Sequence, residues 1–261
     1  MKNDGIGLLL IGHGASSGGG RSVRLLAERL RHEGGFDQVA ACFWKEVPFV
    51  GEGLGLIASP TVLAIPVFAT EGRIARDLIP AAMGLSGPLT VLKDSRHVHY
   101  LRPIGVHPGM AELASKRAQD AARAAGFDPA ASALMLIAHG NRQGGGARSS
   151  AEALTQRLFQ SGRWAEVKAL FLEEEPRAVD WRNHVRAEHI VVLPMLLAEG
   201  QHAGRDLPPL FGLGDLGTND PVLAEFEGRR LAITLGLADD QALAALIRRM
   251  AEEALSPPSP P

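Results

Sequence analysis

The chain repeats itself at an offset of 128 residues, and this repeat restricts the available folds more than any other feature. Leu26-x-x-Arg29-Leu30 returns as Leu154-x-x-Arg157-Leu158, Val39 as Val167, Phe43 as Phe171 and Pro48 as Pro176. Pro66 returns as Pro194 and Glu71-Gly72 as Glu199-Gly200, while Asp77 meets Asp206 after a slip of one residue. A register held across about 50 residues means that one supersecondary unit has been used twice. The match fades toward the end of each copy, where Gly105 and Gly236 are the plausible partners.

Within each copy, short β-type runs alternate with helical patterns. Residues 6–11 read as a buried strand, and 21–31 as a helix with Val23, Leu26, Ala27 and Leu30 on one face. Strands follow at 39–44 and 61–68, a helical stretch at 74–83, a weaker strand at 89–92 and a long helix at 108–125 with Pro near its start. The order then begins again with a strand at 133–138. Strands separated by helices require right-handed crossovers and a parallel sheet covered on both faces. The expected architecture is therefore two tandem α/β halves, 1–128 and 129–255, each a flavodoxin-like parallel sheet flanked by helices. A Pro-rich tail, 256–261, is expected to be disordered.

Composition excludes several classes. Apolar residues make up 46% and charged residues 21% of the 261, with a formal net charge of −2. That balance suits a globular chain and gives no general attraction to nucleic acid or an anionic membrane. No apolar run approaches the roughly 18 residues that span a bilayer. The N-terminus does not read as a signal peptide, and the single cysteine, Cys42, fits a reducing cytoplasm.

Three readings compete for the stretch from Leu8 to Gly20. Gly14-x-Ser16-x-Gly18 has the spacing of a hydrolase nucleophile elbow, with Asp94 and His97 as nominal partners. The second copy places Arg142 where Ser16 stood, which argues for a turn. Glycines 18–20 and 144–146 each precede a helix and suit an anion, but neither copy has the Gly-Lys-Ser/Thr ending of a P-loop. The feature both copies keep is a strand ending in His-Gly, at His13-Gly14 and His139-Gly140.

In a parallel sheet, residues just beyond the strand C-termini line the ligand crevice. Three residues of the second copy have that position: His139, Glu173 and His202. Two imidazoles and a carboxylate suit a first-row divalent metal and equally suit proton acceptance. The first copy keeps His13 but places Lys45 opposite Glu173 and Ile74 opposite His202, a degenerate set. His97 and His99 alternate, so both face one side; they read as a first-half contribution to the site or as an exposed sheet edge.

The segments Ile137-Ala138-His139-Gly140, Phe171-Leu172-Glu173-Glu174-Glu175-Pro176 and 196–208 together resemble the class II chelatases of tetrapyrrole biosynthesis. The phrase Gly105-Val106-His107-Pro108-Gly109-Met110-Ala111-Glu112-Leu113 is also similar to that group. The likeness is to the sirohydrochlorin cobaltochelatase and ferrochelatase family in its long, two-domain form. It implies insertion of Co²⁺ or Fe²⁺, with Ni²⁺ as a further candidate, into sirohydrochlorin for cobalamin or siroheme. It implies no organic cofactor, no ATP, and no nucleic-acid or membrane partner, in a cytoplasmic monomer or homodimer. His139, Glu173 and His202 would bind the metal and take pyrrole protons, and Arg142, Arg148 and Arg205 would meet the macrocycle's carboxylates. A non-catalytic metal or tetrapyrrole carrier is the alternative.

Overall fold

A computed structural model of the chain describes residues 3–14, 20–140, 146–195, 207–214, 216, 219–237 and 240–256. It forms two compact units, Met1–Gly105 with Asp239–Pro261, and Val106–Ala238. Each holds one five-stranded sheet of the same design.

In the first unit β1 (Asn3–Gly12) lies centrally between β2 (Phe36–Phe43) and β3 (Thr61–Pro66), parallel to both. Leu8 to Ile11 are fully buried, as a central strand covered on both faces requires. Leu9, Ile11, Cys42, Val62, Ala64 and Val98 pack one face against Val50, Ile57, Ile79 and Met83. Alternation sends Leu8, Leu10 and Leu63 to the other face, where α1 (Arg21–Glu33) buries the apolar stripe read from its sequence, Val23, Leu26, Ala27 and Leu30. The second unit repeats the plan with β6 (Ala133–Ala138) between β7 (Glu166–Phe171) and β8 (His189–Pro194). Its core gathers Met135, Ile137, Leu170, Val192 and Ile233 around Trp181 and Phe211. The Trp181 indole N–H donates to the Leu210 carbonyl at 3.1 Å, so this fully buried side chain leaves no orphan donor.

The sheets are not wholly parallel. β4 (Leu89–Val91) runs antiparallel to β5 (His97–Tyr100) at one edge, and β9 (Val222–Phe226) antiparallel to β10 (Arg229–Ile233) at the other sheet's edge. Each pair is joined by a tight turn too short for the helix that a parallel crossover needs. In the first turn Ser95 takes φ 68, and Arg96 donates to Asp94 at 2.8 Å and to the Leu54 carbonyl at 2.8 Å. In the second, Glu227 and Gly228 both take positive φ, 51 and 77, as a two-residue hairpin of the primed type requires. Each sheet is thus the expected parallel sheet flanked by helices, with one antiparallel strand at its edge, and the reading of His97 and His99 as an exposed edge is corrected. β5 lies between β3 and β4, and His97 pairs with Thr61, the first residue of β3. The two histidines thus sit toward the end of the sheet opposite to His13.

The last helix of each sequence copy packs in the unit of the other copy. α3 (Pro108–Ala125) lies on β8 and β10, and the chain that follows it stacks Phe127 on His189 at 4.6 Å. The C-terminal helix, Asp240–Leu255, packs beside α1 and buries Leu243, Ala244, Leu246, Ile247, Met250 and Ala251. Arg248 there pairs with Glu33 at 3.1 Å and stands over the Phe36 ring. The compact units are therefore cut near Gly105 and Asp239, whereas the sequence repeat is cut at Asp128. The difference follows from amphipathic helices burying their stripes on the nearest open sheet face, whichever copy encodes it. Among the described residues no helix is long and apolar enough to cross a membrane. The tail beyond Ser256 lies outside the described residues.

Candidate functional site

The His-Gly pair that survives in both copies has a backbone cause. Gly14 and Gly140 take φ of +67 and +80, the left-handed region that glycine enters without steric cost. A Cβ on Gly140 would lie 2.9 Å from Glu174 Cγ and 3.2 Å from Phe171 Cβ; on Gly14, 2.8 Å from Glu46 Cγ and 3.0 Å from Phe43 Cβ. Glycine lets the central strand turn tightly against its neighbour, and the preceding histidine is left exposed at the strand end.

The neighbouring strand is pinned beside that histidine. Leu172 N–H donates to the Ala138 carbonyl and Glu173 N–H to the His139 carbonyl, both at 3.0 Å. Beyond Glu173 the chain folds back, and Phe171 N–H bonds the Pro176 carbonyl at 2.9 Å. His139 Nδ1 and Glu173 Oε1 consequently stand 3.8 Å apart, with side chains 46% and 50% exposed. That gap is too long for a hydrogen bond and leaves both groups in contact with solvent. An imidazole and a carboxylate so placed can accept protons or donate lone pairs to a cation between them.

A clamp behind Glu173 fixes this loop. Arg148, on α4 (Gly146–Gln160), donates from Nε to Glu174 at 3.0 Å, from an η nitrogen to Glu152 at 3.2 Å, and to the Glu175 carbonyl. Its guanidinium stands 4.8 Å from the Phe171 ring centre. Those bonds raise the Arg148 pKa above its ordinary value, chiefly through Glu174. Arg148 therefore serves as a strut in this structure, rather than at a cleft rim as expected from sequence.

The first unit contains the same device. Arg24 donates to Glu46 at 2.7 Å and to the Val47 carbonyl at 2.6 Å, 4.3 Å from the Phe43 ring centre. Glu46 also accepts from Gly20 N–H at 3.1 Å. Sequence comparison misses this pair because Arg24 and Arg148 are 124 residues apart, out of register with the 128-residue repeat. The duplicated Phe and the acid three residues after it, Phe43 with Glu46 and Phe171 with Glu174, are the signal that would have found it.

His13 and Lys45 occupy the positions of His139 and Glu173, with Lys45 N–H donating to the His13 carbonyl at 2.9 Å. Ile74 packs against the first core. His107 is a helix cap, its Nδ1 accepting from Gly109 N–H at 3.1 Å.

Of the sequence-derived set, the structure brings together His139 and Glu173. His202, Arg142, Arg205 and Ser16 lie outside the described residues. β8 flanks β6 on the side away from β7, and Met195 N–H bonds the Ile137 carbonyl at 2.7 Å. Among the described residues no group of three or more His, Cys, Asp or Glu is placed to hold a metal ion.

Comparison with known proteins gives this geometry its context. The CbiX family pattern matches residues 7–121 and again 133–254. The probable sirohydrochlorin cobaltochelatase of Halobacterium salinarum is 27% identical over 222 residues, which is 77% of this chain and 75% of that protein. Among solved structures, DR2241 of Deinococcus radiodurans, a multi-domain protein with structural similarity to chelatases, superposes with TM-score 0.78 at 27% identity. The match covers 97% of this chain, which spans 56% of that protein's length. CbiX, the terminal enzyme of siroheme biosynthesis in denitrifying bacteria, superposes with TM-score 0.70 at 21% identity, covering 96% of this chain and 100% of that one.

Proposed function

We propose, from the premise that this chain belongs to the CbiX family, that it is a sirohydrochlorin chelatase inserting a divalent metal into the macrocycle. The observation that carries the reading is His139 Nδ1 3.8 Å from Glu173 Oε1 at adjacent strand ends of a family-matched half. Insertion replaces two pyrrole N–H bonds by bonds to the metal and releases two protons. A neutral imidazole can hold the incoming cation and accept a proton once the metal has moved on. Glu173 is the second acceptor, and its carboxylate lowers the cost of holding a dication there. His202, on the segment that leaves β8, is the third member of the set. Arg142 and Arg205 are its candidate partners for the macrocycle's carboxylates.

The name of the Halobacterium relative favours Co²⁺, and the siroheme enzyme's role favours Fe²⁺. Imidazole and carboxylate accept both ions, and Ni²⁺ as well. The test follows the visible absorbance of sirohydrochlorin with each metal in turn. Wild-type protein accelerates insertion over metal and macrocycle alone. His139→Ala and Glu173→Gln each lower the rate by about 10²-fold, the lower range for a lost acid–base group. Stoichiometric binding without turnover would overturn the enzyme reading in favour of a carrier.

A further inference from the structure

His97 and His99 alternate along β5, so both imidazoles stand on one face of the first unit's sheet, about 6.6 Å apart along the strand. His97 is exposed and His99 half-buried. Their cross-strand neighbours are Val91 and Leu89 on β4 and Thr61 and Leu63 on β3, none of them charged. Among the described residues neither ring has a hydrogen-bond or ion-pair partner. Arg96, the adjacent cation, falls on the opposite face with Val98, where Asp94 and the Leu54 carbonyl hold it at 2.8 Å each. Other histidines are engaged: His13 donates from Nδ1 to the Gly14 carbonyl at 2.9 Å, His107 caps α3, and His189 stacks on Phe127.

The sheet itself does not need this pair. In the second unit Arg230 and Ala232 take the registers of His97 and His99, pairing with His189 and Val191 as the histidines pair with Thr61 and Leu63. Arg230 has a structural duty there, standing 5.1 Å from the Phe127 ring centre and donating to the Ala125 carbonyl at 3.4 Å. Nor do the histidines belong to the strand-end rim of their unit. Through β3, His97 is level with Ile6 and His99 with Leu8. His13 lies seven and five residues further along the chain of β1, roughly 23 and 16 Å at a rise of about 3.3 Å per residue.

We propose that His97 and His99 form a bidentate site for a first-row divalent cation, separate from the strand-end rim of the first unit. A neutral imidazole donates one ring lone pair, and above the ordinary imidazole value of about 6.5 both rings have it available. Once one ring binds, the second meets the same ion at the high local concentration that the strand spacing fixes, so the pair holds a cation far better than either ring alone. Imidazole suits Co²⁺, Ni²⁺, Cu²⁺ and Zn²⁺, with Cu²⁺ held tightest.

The test titrates Ni²⁺ into the full chain by calorimetry at about pH 7.5, in a His139→Ala background so that the second unit's histidine does not contribute. His97→Gln and His99→Gln each weaken one Ni²⁺ equivalent by about 10²-fold, the lower range for losing one of two linked ligands. The double variant loses little more than either single, because one change already breaks the chelate. In nitrogen-15 spectra Zn²⁺ shifts the ring resonances of both histidines together. Melting curves matching the parent verify that each variant is folded. A loss below about 2-fold for either single variant overturns the proposal, as does a double variant in which the two losses simply multiply. A Zn²⁺ shift confined to one ring overturns it too. A protein that shows this Ni²⁺ pattern but never inserts metal into a macrocycle supports the site while refuting the chelatase reading.

Discussion

Removing the Arg148 side chain is the sharpest test of how the site is held. The Glu174 carboxylate is only 15% exposed, and a charge-assisted bond to such a group contributes about 1.5–2 kcal/mol. The bond to the Glu175 carbonyl contributes about 1 kcal/mol, and the placement over Phe171 about 0.5–1 kcal/mol. The Glu152 partner is 55% exposed, so solvent screening limits that pair to about 0.3–0.5 kcal/mol. All four share one side chain, so the losses overlap, and Arg148→Ala is expected to cost about 3 kcal/mol. For units of this size that lowers the melting temperature by roughly 6–12 °C, measured by circular dichroism. Arg24→Ala, in the twin clamp, gives a shift of the same order. The double variant Arg148→Ala/Glu174→Gln recovers part of the loss, because the second change removes the charge left unpaired. A shift below about 2 °C for Arg148→Ala, or strict additivity with Glu174→Gln, would refute the clamp argument.

Three further outcomes follow from the geometry. Gly140→Ala, at φ +80 with Glu174 Cγ 2.9 Å from the new Cβ, is destabilised by about 2–3 kcal/mol in chemical denaturation. Cys42 is fully buried and burial pushes its thiol up to about 12, so the folded protein does not react with a thiol reagent at pH 8 until denaturant is added. Burial, and secondarily the charge of His97, hold His99 below the ordinary imidazole value. The unfolded chain then binds the proton first, and stability falls as pH drops below about 6.5 toward the folded-state value. His99→Gln flattens that part of the stability–pH curve measured in urea.

The sequence alone determined the elements that one copy could check against the other. Runs such as Leu8–Ile11 and Ala133–Ala138, bounded by turn residues, are legible as central strands because such strands are buried on both faces. The stripe Val23, Leu26, Ala27 and Leu30 is legible as a helix face for the same reason of burial. The strand-end position of His139 and Glu173 follows from those assignments, since a parallel strand projects the residue after it toward one rim. The antiparallel edges were less legible: β9 and β10 are short, β9 has no buried residue, and their turn, Glu227-Gly228, carries only a weak signal.

Tertiary structure decided the rest. Each copy's last helix is amphipathic whichever sheet it covers, so nothing in its periodicity names its partner, and the packing of α3 on β8 and β10 appears only in space. Arg148 looks like any exposed helix cation until Glu174, the Glu175 carbonyl and Phe171 are seen to converge on it. Local sequence specifies dihedral preference and burial period, whereas the choice among equally apolar faces and equally charged partners depends on which groups the folded chain brings together.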